Sequence, residues 1–184
     1  MACTLTTGFS LDCKDSIGGI KSVRFATLSD WTSLSATISG GEVTAIGSAS
    51  TVFYKYELRR ETSSFNDDPQ TDQANGGTHY KPSLSMVLNK LDTAKRNEVL
   101  LLAKNQLVAI IETAQPNDAS GDGDFWVMGN SNGIDMVPST GGSGTAAADR
   151  NGYELAFEGM EALPVMKINP ASGSVATLLG TITN

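Results

Sequence analysis

At 184 residues, with 40% hydrophobic and 18% charged side chains, the chain is long enough for one ordinary globular domain with its own core. Its formal net charge of −7, from 20 acidic against 13 basic residues, argues against a direct nucleic-acid binder, because basic residues never cluster beyond Arg59-Arg60 and Lys95-Arg96 and no basic stripe is available to neutralise phosphates. No apolar run approaches the roughly 20 residues of a membrane-spanning helix, and Met1-Ala2-Cys3-Thr4-Leu5-Thr6-Thr7 lacks the basic start and apolar centre of a signal peptide, so synthesis in a cytoplasm and no membrane partner are expected.

Residues 1–19, rich in Thr, Ser and Gly, read as an arm or turn ahead of a first strand over 20–25. Trp31 sits in polar sequence. Glu42-Val43-Thr44-Ala45-Ile46, bounded by Gly40-Gly41 and Gly47, predicts another strand. The most informative stretch is 51–111. In its first segment Val52, Tyr54, Tyr56 and Leu58 alternate with Phe53, Lys55, Glu57, Arg59 and Glu61, and a period of two places the first set on a buried face and the second on a wet one. Residues 83–89 repeat the pattern, with Leu84, Met86 and Leu88 opposed to Ser83, Ser85 and Asn89, and with Val87 as the apolar exception on the wet side. Together the two segments predict a long hairpin. Between them, 65–77 is polar and far longer than the usual hairpin connection of about 2 to 5 residues, which predicts a loop that is functional or becomes ordered on contact with a partner.

Asp92 is suited to cap a helix, since its carboxylate accepts otherwise orphaned amide hydrogens, and Val99, Leu102, Ala103 and Gln106 follow helical spacing behind it. Leu107-Val108-Ala109-Ile110-Ile111 then predicts a largely buried strand ending before Pro116. Residues 125–128 and 134–137, joined by Gly129-Asn130-Ser131-Asn132-Gly133, predict a second hairpin. Residues 138–152 read as a flexible loop, 153–158 as a clear alternating strand, 164–168 as a continuation of the sheet, and 169–184 as a weakly patterned C-terminal segment. The expectation is one domain over 1–184, without internal repeats.

Reactive chemistry is sparse. His79 is the only histidine, and with Cys3 and Cys13 it cannot complete a structural zinc site without carboxylates or a second subunit; the cysteines read as two reduced thiols. No nucleophile stands in a recognisable elbow or Cys/His pairing. Gly141-Gly142-Ser143-Gly144-Thr145 lacks the lysine and spacing of a phosphate loop and reads as a linker. Asp118, Asp122 and Asp124, around Gly121 and Gly123, lack the distal glutamate of a calcium loop. The expectation is therefore a protein that is not an enzyme, with no catalytic residue, cofactor or metal.

The order of the pieces resembles the tail tube proteins of bacteriophages and the related inner-tube proteins of contractile injection machines. The matching pieces are the hairpin over 51–89, the helix begun by Asp92, the strand over 107–111, and the late strand in Arg150-Asn151-Gly152-Tyr153-Glu154-Leu155-Ala156-Phe157-Glu158-Gly159. The resemblance covers about 20–168. It implies a mainly β fold, a β-sandwich or small barrel with a long hairpin and one flanking α-helix. It also implies a structural virion protein, made in the host cytoplasm and located in the tail, whose homohexameric rings stack into a tube. DNA would be ejected through that tube without specific binding, and other phage tail proteins would be neighbours. Lys55, Glu57, Arg59 and Glu61 would face the channel or an adjoining strand. Phe65, Asp67, Asp68 and Asp72, in the 65–77 loop, would touch the next ring or subunit, with the terminal segments as further assembly arms. The lumen would be net acidic or neutral, charged by Glu57 and Glu61 with Asp67, Asp68 and Asp72, because a basic wall would hold the phosphate backbone at every repeat.

Two other classes fit the same pattern. A head–tail connector, tail terminator or baseplate-ring protein would share the sandwich and differ in its interfaces. A carbohydrate-binding module would need Trp31, Tyr54, Tyr56 and Trp126 to form an exposed aromatic platform, whereas their mostly strand positions point to core.

Overall fold

The computed structural model describes residues 8–9, 14, 16–47, 53–116 and 123–169. The expectations for Cys3, Cys13, Val52, Asp118 and Asp122, and for most of the two terminal segments, fall outside these residues. The elements run β1 (Ile20–Thr27), α1 (Leu28–Ser33), β2 (Thr37–Ser39), β3 (Glu42–Ala45), β4 (Tyr54–Glu57), β5 (Ser64–Asp72), β6 (Gly77–Asn89), α2 (Thr93–Leu102), β7 (Leu107–Pro116), β8 (Gly123–Met128), β9 (Ile134–Gly142), β10 (Gly152–Gly159) and β11 (Met166–Ile168). The fold is thus mainly β with a flanking helix, α2.

All eleven strands belong to one mixed sheet that does not close on itself. Its strand order is β2-β3-β11-β8-β7-β9-β10-β6-β5, with β1 paired to β7 and β4 paired to β1. Between β7 and β9 the ladder narrows to one pair, Leu107 with Ile134, and there the sheet turns back over itself. Apolar side chains explain the turn. Val23 and Phe25 of β1 and Ala109 and Ile111 of β7 pack against Leu84 and Met86 of β6 and Leu155 and Phe157 of β10 in one buried core. The rings of Phe25 and Phe157 lie 5.0 Å apart, and those of Phe65 on β5 and Trp126 on β8 lie 6.4 Å apart, so β10 faces β1 and β5 faces β8.

The outer side of β7 is covered as well. Val108 and Ile110 join Trp31, Leu34, Val43, Phe53, Phe125, Val127, Met166 and Ile168 in a second core. A strand buried on both faces has no polar side to show, which is why 107–111 is an unbroken apolar run. Beside this core Arg24 stands 5.3 Å above the Phe125 ring and 3.4 Å from the Glu112 carboxylate, which also accepts from Ser22 Oγ at 2.6 Å. The three polar side chains sit together on adjoining positions of β1 and β7.

Helix α2 begins where Asp92 Oδ1 accepts from Thr93 N at 2.7 Å, and its buried Leu102 and half-buried Val99 reach the first core. Helix α1 was not foreseen. Thr27 starts it, its hydroxyl accepting from Asp30 N at 3.2 Å, and Trp31 is its buried residue.

The pairing differs from expectation in several places. Strand β4 does not pair with β6; it lies on β1, with Phe25 opposite Tyr54 and Ser22 opposite Glu57. The hairpin partner of β6 is β5, so 65–77 is no loop but most of a strand and a short turn, in register from Ser64–Ser85 to Asp72–Gly77. A ladder needs only backbone groups, and here it holds without any apolar alternation to announce it. Phe53, expected on a wet face, is fully buried, meeting Trp31 edge-on at 6.1 Å. Val87 is buried too.

Strands β8 and β9 are not a hairpin either. Both lie along β7, Met128 opposite Ala109 and Ile134 opposite Leu107, and the residues between them carry the chain from one layer to the other. Gly129 and Gly133 allow this with φ of 82° and 75°; a Cβ on Gly129 would stand 3.0 Å from the Leu107 carbonyl oxygen. Strand β7 continues through Pro116, which pairs with Gly123 beyond a register shift. In the expected flexible segment 138–152, β9 extends to Gly142, and the following turn is tied by Asp149 Oδ2, which accepts from Thr145 N at 2.8 Å and Ala146 N at 2.7 Å. Those amides, with the Thr145 hydroxyl, hold the Asp149 carboxyl below its ordinary value.

Candidate functional site

The sheet ends in a ribbon. Strand β10 follows β6 only from Asn89 to Ser83, and beyond Ser83 the β5–β6 pair continues to the turn at 73–76 with one further backbone bridge, from Tyr80 to Glu161. From Asp67 to Asp72 this adds six residue pairs, of which the three from Gln70 to Asp72, roughly 10 Å, lie beyond the Tyr80 bridge as a two-stranded tip. At the tip Gly76 has φ of 67°, and Asp72 accepts from Ala74 N at 2.9 Å and from Asn75 Nδ2 at 2.5 Å. The Asn75 contact first and the Ala74 amide second hold the Asp72 carboxyl below its ordinary value.

Strand β5 closes the sheet order, so among the described residues its second edge has no ladder partner. Such an edge presents a row of free amide and carbonyl groups to another chain. Pro69 sits within β5 opposite Tyr80 without breaking the pairing, which places its ring nitrogen, and by alternation the amides of Asp67 and Thr71, on the outward side.

The ribbon is anchored at its base. Asp67 Oδ2 accepts from Val165 N at 2.9 Å, and Tyr80 exchanges backbone hydrogen bonds with Glu161 at 2.8 and 2.9 Å. Glu161 is buried, and its Oε1 accepts from Ser131 N at 3.0 Å and Asn132 N at 2.9 Å, tying the layer crossing to the ribbon's base. Asn130 Oδ1 accepts from Trp31 Nε1 at 3.0 Å in the same crossing. Glycines 129 and 133 marked a turn in the sequence, expected there as a hairpin connection, and nothing marked Glu161 as its clamp.

The candidate residues are thus divided. Lys55 and Glu57 lie exposed on β4, paired with each other at 3.2 Å, while Arg59 and Glu61 are exposed in the turn toward β5, Glu61 with φ of 61°. Phe65 and Asp67 are half-buried on strand β5 rather than in a loop, Phe65 toward Trp126 and Asp67 toward Val165. Asp68 and Asp72 are exposed on the ribbon. His79 is exposed on β6 opposite Gln70.

The four aromatics proposed for a platform are dispersed: Trp31 is buried in the second core, Trp126 meets Phe65, Tyr56 packs edge-on against Phe25 at 5.5 Å, and only Tyr54 is largely exposed. Asp124, from the acidic run considered for calcium, pairs with Lys167 at 2.8 Å. Among the described residues no three His, Cys, Asp or Glu side chains gather as a metal site, and no helix is long and apolar enough to cross a membrane.

No protein-family model, curated protein or solved structure matches the chain.

Proposed function

We propose that the protein is a structural virion protein of the phage tail tube class, a subunit that assembles through its sheet edges into homohexameric rings which stack into a channel for genome delivery. The observation that carries this reading is the β5–β6 ribbon, a polar projection whose outer edge has no ladder partner among the described residues, on a sheet that does not close. Strands from several subunits joined edge to edge remove every free edge at once when they complete a barrel. A head-to-tail contact of that kind generates rings when its rotation closes, and ring-on-ring repetition makes a tube from one small chain. The exposed Glu57, Glu61, Asp68 and Asp72, with the chain's net negative charge, suit a wall past which DNA slides.

Negative-stain imaging of the purified protein at increasing concentration tests this. Six-fold rings and tubes are the expected result. Single rings that never stack would point to a connector or terminator ring, and a monomer at every concentration would overturn the assembly reading altogether.

A further inference from the structure

Where α2 crosses the open side of the sheet it leaves a cleft of about 330 Å³ against β1 and β4. Phe25, Leu102 and Leu107 form its floor, the rings of Tyr54 and Tyr56 and the side chain of Leu101 its walls, and Asp30 and Glu98 its acidic members. No lysine or arginine lines it among the described residues. Tyr54 and Leu101 remain 54% and 53% exposed, an aromatic face and an aliphatic side chain left open to solvent at one place. Tyr56 is oriented by its edge-on contact with Phe25, and it lines the cleft together with Glu98.

We propose that this cleft binds an arginine side chain presented by a protein partner. Each part of the side chain has its counterpart. The three-carbon stem covers Leu101 and the apolar floor, the planar guanidinium stacks on Tyr54, and its forked N–H groups reach Glu98, whose charge no side chain of the cleft balances. The cleft's size is at the small end for ligand sites, matching one side chain rather than a cofactor. Lysine would keep the charge but lose the planar stacking and the fork, and a neutral side chain would leave both carboxylates without a counter-charge. The inference goes beyond ring formation and holds for a monomer equally.

The test is an amide-resolved NMR titration of the whole chain with the tripeptide acetyl-Gly-Arg-Gly-amide at constant ionic strength, set against the same peptide with Lys or Gln at its centre. Saturable shifts centred on Tyr54, Tyr56, Glu98 and Leu101 are expected with the arginine peptide, weaker binding with lysine and none with glutamine. Glu98→Gln should weaken the arginine peptide about tenfold, the loss of one charge-assisted contact, and Tyr54→Ala should weaken it as well. Both residues are exposed, so the variants should melt like the parent; Asp68→Asn, on the ribbon, should bind normally. Absence of saturable shifts, equal binding of the glutamine or lysine peptide, or undiminished arginine binding by Glu98→Gln would each overturn the proposal.

Discussion

Glu161 ties its own segment to two parts of the chain that are remote in sequence: the layer crossing through Ser131 and Asn132, and the ribbon through Tyr80. Removing its carboxylate would leave two amide hydrogens unpaired in a site where Glu161 itself is only 6% exposed. Glu161→Ala should therefore cost about 3 kcal/mol, read from the denaturant midpoint, and an unchanged midpoint would show that the crossing is held by Asn130 and the glycines alone. Tyr56 gives a pH signature. Burial, and then the Glu98 and Tyr54 charges, push its hydroxyl from 10.0 up to about 12. The folded state thus keeps this proton more tightly than the unfolded one, so the associated stability is complete below pH 10 and is lost as pH rises toward 12. Melting temperatures measured from pH 8 to 12 should fall across that window, and Tyr56→Phe should flatten the fall; parallel curves for both proteins would show that other groups govern it.

At the scale of elements, what could be read in the sequence was whatever had one apolar face or one local cap. Asp92 announced α2 through its own carboxylate, and Leu84, Met86 and Leu88 announced the inner face of β6 by alternation. Strand β7 was legible because it is apolar on both sides. The β5 strand was not, since Asn66, Asp68, Gln70 and Asp72 carry no apolar periodicity and only the Asn75-Gly76 turn signal betrayed the hairpin. Nor was the pairing of β4 with β1, a contact far apart in the chain that local pattern does not encode. The ribbon also supplies a prediction. Because the Thr71 amide points away from β6, Thr71→Pro should leave the hairpin ladder intact, shift melting by only a few degrees, and prevent ring formation in negative-stain images; normal rings would show that the β5 edge is not the joint.

For the whole molecule the two layers are interwoven. The chain passes between them after β4, through α2, at 129–133 and again at 160–165, so neither layer is a contiguous piece of sequence. Unfolding should accordingly be a single transition. Surface charge is separable from this architecture: Glu57 is 81% exposed, and its pairing with Lys55 contributes little to stability. Under the proposed tail-tube role, replacing Glu57 and Glu61 by Lys should preserve folding and rings while slowing DNA delivery by phage carrying the variant. Delivery at the normal rate would exclude a role for this acidic pair as lubricant.

Strand β11 sits between β3 and β8, parallel to the first and antiparallel to the second. Among the described residues β3 pairs otherwise only with β2, so the β2–β3 unit joins the sheet's ladder through three residues near the far end of the chain. On the ribosome this leaves the β2–β3 unit without a ladder to the rest of the sheet until the last of the described strands has been made. It must wait, tethered, until 166–168 leave the exit tunnel. Nascent chains arrested with β11 still inside the tunnel should thus be cut by protease within 37–45, and those carried clear of the tunnel on an appended linker should resist, an order of completion opposite to the order of synthesis.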